Sequence, residues 1–78
     1  MAQWTKTRVE CYAGYRGEET PRRFWYAGMP ISIEETEKQW IEPDCRYFRV
    51  RGDDSRIYIL RQDTRTYQWE VRAHGDKS

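Results

Sequence analysis

The sequence predicts an all-β domain, a small and partly open antiparallel barrel of five or six strands, SH3-like or OB-like in character. Three observations carry that expectation. Short runs rich in Val, Ile, Tyr, Trp and Thr are separated by Gly, Asp and Pro turn chemistry. Within most runs apolar and polar residues alternate, the two-residue period of a strand that buries one face. The chain has 78 residues, of which 37% are apolar and 15% aromatic, so a lean core is built from a few large rings. Hairpin-linked strands leave two exposed edges, and curling the sheet until they meet disposes of both.

The first run spans about 5–15, where Val9, Cys11, Ala13 and Tyr15 alternate with Arg8, Glu10 and Tyr12. "RGEETPR" (16–22) combines Gly, Pro and charge and reads as a loop. The second run, 22–27, sets Phe24 and Tyr26 on one face and Arg23 and Trp25 on the other. Ala27-Gly28 makes a tight turn, with Gly supplying positive φ. The third run starts at Met29 and places Met29, Ile31 and Ile33 together, with Pro30 at a strand start or edge because it has no N–H. The fourth, 45–51, opposes Phe48 and Val50 to Tyr47, Arg49 and Arg51. "GDDS" closes the next hairpin. The fifth, "RIYILR" (56–61), is apolar on both faces and so central. After "QDTR", the sixth run, 66–72, turns Tyr67, Trp69 and Val71 inward.

Residues 32–40, "SIEETEKQW", admit two readings. Ser32 and Glu35 match a capping box, and Glu34 and Lys38 sit at i,i+4 in the favourable order, so a short helical turn near 33–40 is one. A turn and a half of helix is marginal without packing. The other reading, slightly favoured, continues the third strand through a bulge. Both expect Trp40 to close one end of the barrel. The organisation is then a single β domain over 1–72, followed by a disordered tail, 73–78, that carries nothing to bury.

Composition excludes several function classes. Fourteen basic and thirteen acidic residues leave a net charge of +1, a sign-mixed surface and not a polyanion-binding tail. Eleven of the basic residues are Arg. Arg forks and stacks on rings where Lys does not, which points towards recognition; GC-rich coding explains the same bias without function. Cys11 and Cys45 form no CxxC, and the reading is two reduced thiols used as small hydrophobes. There is no apolar h-region and no run near the ~20 residues of a membrane span, so the expectation is a cytoplasmic protein, bacterial in style, with no membrane partner.

Catalysis has little to stand on, and no enzyme is expected. The only histidine, His74, falls in the predicted tail, which leaves either cysteine without a base. Glu34/Glu35 neighbour each other along a strand and so point to opposite faces, while Asp53/Asp54 are turn chemistry. Two distant cysteines and one histidine do not make a zinc site, and no phosphate-binding glycine motif occurs. No metal or cofactor is expected. "RGD" (51–53) is explained as a strand end and a turn.

What remains is the outward face. Parity points Tyr12, Arg23, Trp25, Tyr47, Arg49 and Arg51 away from a core of Val9, Phe24, Ile31, Phe48, Val50 and Trp69. Guanidinium groups beside exposed rings suit a protein-interaction hot spot. They suit single-stranded nucleic acid as the alternative, by stacking and phosphate contact, although the near-neutral charge weakens that case. Trp25 covering a small surface cluster with Tyr12 and Tyr47 under arginine stems is the third reading. The expectation is a monomer or weak dimer that binds a protein partner.

The stretch "PRRFWYAGMPISI", a Trp seven residues on, "YFRVRGDD", "IYILR" and "YQWEV" resemble a family of short uncharacterised bacterial domains. The family outline falls on Phe24, Gly28, Ile31, Trp40, Phe48, Arg49, Val50, Tyr58, Leu60 and Trp69, covering about 21–72. Similar domains occur alone or appended to DNA-repair polymerases. The resemblance implies a shared core and brings no established activity with it.

Overall fold

Alternation along the chain becomes seven strands in the computed structural model, which describes residues 3–12 and 20–74. They are β1 (Thr5–Thr7), β2 (Val9–Cys11), β3 (Pro21–Tyr26), β4 (Met29–Ile41), β5 (Cys45–Gly52), β6 (Ile57–Asp63) and β7 (Trp69–Ala73). No described residue is helical. All pairings are antiparallel, in the order β1-β7-β6-β5-β4-β3-β2. The first run is split at Arg8, which is why the strands number seven and not six. Its first half pairs with β7 and its second with β3, so the two sheet edges are consecutive pieces of one chain segment. The result is a nearly closed small barrel. From β3 to β7 every strand pairs with its neighbours in sequence. That is a meander and not the Greek-key order of an OB fold.

The seam between β1 and β3 is bridged by one side chain. The Thr7 hydroxyl donates to the Trp25 carbonyl and accepts from the Trp25 amide at 3.2 Å. Ala27 (φ 53°) and Gly28 (φ 80°) turn β3 into β4 with both central residues left-handed, the geometry whose twist matches its flanking strands.

The 33–40 segment is strand, which removes the short helical turn. The reason is pairing: Ile33 to Ile41 lie against β5, with irregularities between Ile33 and Glu35 and between Thr36 and Lys38. The acidic residues meet cross-strand arginines in place of Lys38. Glu35 reaches Arg51 at 3.0 Å and Glu37 reaches Arg49 at 3.3 Å.

Phe24, Ile31, Phe48, Val50, Tyr58, Leu60, Trp69 and Val71 form the buried core, with Val9, Cys11, Tyr26, Ile33 and Ala73 packed against it. Tyr58 is central. Its ring meets Phe24 and Tyr26 edge-on at 5.0 and 5.1 Å, and its hydroxyl donates to Asp54 Oδ2 at 2.6 Å. Gly52 is buried beside it with no room for a side chain: an added Cβ would lie 2.5 Å from Ile31 Cγ2. The glycine of "RGD" is therefore a packing residue.

Three expectations need correction. Tyr67 is not inward; it is 42% exposed and left-handed (φ 64°). Asp63 accepts the amides of Arg65 and Thr66, which holds a turn there and delays β7 to Trp69. The inward place belongs to Gln62, 4% exposed, whose Oε1 accepts from Arg46 at 2.9 Å. The tail does not begin at 73, since Ala73 pairs with Tyr58 and the His74 amide donates to Ile57 O at 2.9 Å. Trp40 does not enter the barrel, as described below. Ala13, Tyr15, most of the predicted 16–22 loop and residues 75–78 lie outside the described residues. Both cysteines are half-buried.

Candidate interaction face

The register sets two cross-strand rows on the outer face of β4 to β7. In one, Lys38, Arg49, Ile59 and Arg72 stand side by side; in the next, Trp40, Tyr47, Arg61 and Glu70 do. Directly opposed residues on one face lie within contact distance of each other. Trp40 and Tyr47 accordingly stack in parallel, centroids 5.1 Å apart and planes 4° apart. Trp4, just ahead of β1, meets Tyr47 edge-on at 6.3 Å. Cations cover the rings: Arg61 lies 4.1 Å and Arg72 5.0 Å from the Trp4 centroid, and Lys38 5.6 Å from Trp40. Beneath them Ile59 is only 5% exposed although it sits outside the interior core. The face is thus a second, smaller apolar cluster roofed by rings and cations.

Most of its arginines are neutralised in place. Arg61 pairs with Glu70 at 2.6 Å, and Arg49 lies 3.3 Å from Glu37 but out of line for a hydrogen bond. Partial burial works against the Arg61 cation. Glu70, with help from Tyr47, more than offsets this and holds the guanidinium above its ordinary pKa. Lys38 and Arg72 meet no carboxylate among the described residues.

The stacked pair is the common wall of two cavities. One, of about 240 Å³, is lined by Trp4, Lys38, Arg49, Ile59, Arg72 and His74 besides the pair. The other, of about 550 Å³, opens at the end of β4 against Thr20, Gln39, Ile41, Arg46 and Phe48. Ile41, 77% exposed, stands at its rim.

The six residues singled out from the sequence divide between two regions. Tyr47 and Arg49 belong to this face, and Arg51 lies one row further along β5, paired with Glu34 and Glu35. Arg23, Trp25 and Tyr12 lie around β3, which pairs with β4 only from Met29 to Ser32. β4 therefore separates β3 from β5, and the two groups do not form one patch. Trp25 faces outward but is half-buried, with the Arg8 guanidinium 5.0 Å above its ring. Arg23 lies 3.5 Å from Glu10, and Tyr12 is 58% exposed with Arg22 at 5.6 Å.

Sequence reasoning missed Trp4, Trp40, Arg61 and Arg72. Arg61 and Arg72 shared the outward parity of Ile59 and were legible. Trp40 was misplaced by the expectation of one bulge where β4 has two, and Trp4 precedes the first strand.

Among the described residues no helix is long and apolar enough to cross a membrane, and no group of three His, Cys, Asp or Glu is placed to hold a metal ion. No family model, curated protein or solved structure matches this chain.

Proposed function

We propose that this protein is a non-catalytic interaction module, working in the cytoplasm and binding a protein partner through the face around Trp40 and Tyr47. The observation that supports it is the parallel Trp40–Tyr47 stack shared by two cavities, with Trp4 at one side and exposed Ile41 at the other. Trp, Tyr and Arg dominate protein-binding hot spots, and an exposed aliphatic beside them adds apolar area that a partner can cover. Single-stranded nucleic acid is the alternative. Glu37 and Glu70 count against it, because they neutralise the arginines that would hold phosphates.

The test is capture of a defined partner by the wild-type chain and by two variants of unchanged melting temperature. Trp40→Ala with Tyr47→Ala loses the partner, while Trp25→Ala, on the other side of β4, keeps it. A partner lost only with Trp25→Ala moves the site to β3. Oligonucleotide binding with a steep salt slope, abolished by the Trp40/Tyr47 change, establishes the alternative.

A further inference from the structure

On the outer face of β4 to β7, Lys38 and Arg72 are cations that meet no carboxylate among the described residues, and they stand at opposite ends of one row. Arg72 is the more demanding. Its Nε is buried without a hydrogen-bond partner, and its guanidinium rests on Trp4. A guanidinium is donor-only; with its Nε out of reach, the terminal N–H groups of Arg72 are the donors that an arriving carboxylate would meet. Between the two cations lies the 240 Å³ cavity, floored by Ile59 and walled by Trp4, Trp40 and Tyr47. It has room for one apolar side chain.

The spacing selects the ligand. Lys38 and Arg72 are three strand intervals apart, about 14 Å across the sheet. An extended peptide advances about 3.3 Å per residue and turns alternate side chains to the same side. Side chains four positions apart therefore lie about 13 Å apart on one side, with a third midway between them. We infer that the face binds an extended acidic segment of a protein partner, two carboxylates four positions apart reaching Lys38 and Arg72 and an apolar side chain between them entering the cavity. This rests on the protein-binding reading above and gives it a ligand chemistry.

A polyanionic strand fits less well. Tyr47 lies against one face of Trp40 and Lys38 over its ring, and Arg61 and Arg72 cover Trp4, so little ring surface is open for base stacking. Glu37 and Glu70 border the row and repel a run of phosphates, whereas two carboxylates pass between them.

The experiment titrates the full chain with a fluorescently labelled, end-capped peptide carrying two glutamates four positions apart and a leucine midway. Salt-sensitive binding is expected. Exchanging both glutamates for glutamine, or moving one by a single position, weakens it about tenfold or more, the loss of about one charge-assisted contact. Lys38→Gln and Arg72→Gln each give a similar loss, and Trp25→Ala gives none. Lys38 is exposed, so its variant keeps the test decisive if Arg72→Gln lowers stability. Equal binding of the glutamate and glutamine peptides overturns the acidic-ligand inference and leaves protein binding standing. A short oligothymidylate that outcompetes the peptide through Lys38 and Arg72 overturns both in favour of nucleic acid. No binding of any peptide overturns the inference, and retained partner capture then shows that the module reading survives it.

Discussion

Thr7 and Trp25 are joined through one hydroxyl, which accepts the Trp25 amide and donates to the Trp25 carbonyl. A side chain thus takes the place of a ladder rung where β1 leaves β7 and the chain crosses to β3. The Trp25 amide also donates to Arg8 O at 3.3 Å, so loss of the hydroxyl takes one of two acceptors from that amide and a donor from the partly buried Trp25 carbonyl. Thr7→Val keeps shape and removes the bridge. It should lower unfolding free energy by about 1–2 kcal/mol in urea titrations, and Thr7→Ser should recover most of it. An equal loss for both would assign the effect to packing.

Gly52 has no space for a methyl group, since a Cβ would meet Ile31 Cγ2 at 2.5 Å and Asp54 Oδ1 at 2.9 Å. Gly52→Ala is expected to cost about 1–3 kcal/mol through overpacking. Ile31→Ala removes the obstructing methyl, so the glycine change should cost less in that background than alone. Additive losses in a double-mutant cycle would place the strain elsewhere.

Ala27 holds a left-handed φ of 53° in the β3–β4 turn. A side chain with no local hydrogen bond to offer is disfavoured there by about 1–2 kcal/mol, and asparagine tolerates the position better. Ala27→Asn should stabilise the protein by about 0.5–1 kcal/mol, seen as a raised melting temperature. No gain would mean that the turn relaxes when the side chain changes.

Acid should weaken the fold through two aspartates. Burial pushes Asp54 up, but the Tyr58 hydroxyl and the Arg56 amide outweigh it, so its pKa lies below the ordinary value. The Arg65 and Thr66 amides hold Asp63 low as well. A depressed folded-state pKa adds stability above the ordinary aspartate pKa of about 3.9 and loses it as pH falls through the folded value. Stability should therefore drop below about pH 4. Tyr58→Phe removes one of the groups holding Asp54 low, so the variant starts less stable and falls less steeply in that range. In alkali the sign reverses. Burial, then the Asp54 carboxylate, raise the Tyr58 pKa, so wild-type stability falls as pH rises past the ordinary tyrosine value of about 10. The variant lacks that decline.

How far the fold was legible follows from where alternation was unbroken. In β5 and β6 every residue keeps parity, and Phe48, Val50, Tyr58 and Leu60 are inside as the pattern requires. Phe24 and Trp25 obeyed the same rule in β3. Legibility failed where one residue changed the count. In β4 the expected single bulge would turn Trp40 inward, but there are two, around Glu34 and Glu37, and two one-residue shifts restore the parity of Ile31 and Ile33 and leave Trp40 outward. Arg8 broke the first run with no Gly or Pro to mark it. The candidate face was harder still, since it depends on which strands are neighbours. Arg23 and Arg49 share outward parity, yet β4 stands between them, and only cross-strand order shows it.

The pairing of β1 with β7 sets a schedule for biosynthesis. As the chain leaves the ribosome, β3 to β6 can zip hairpin by hairpin, each needing only its immediate predecessor. Thr5–Thr7 must wait until Trp69–Ala73 has emerged before its ladder exists. Until then both margins of the nascent sheet are unpaired and Trp69 is absent from the interior, a state open to wrong partners. A chain arrested before residue 69 would present that unfinished sheet to a holding chaperone, whereas release of the last strand would shut it in a single step.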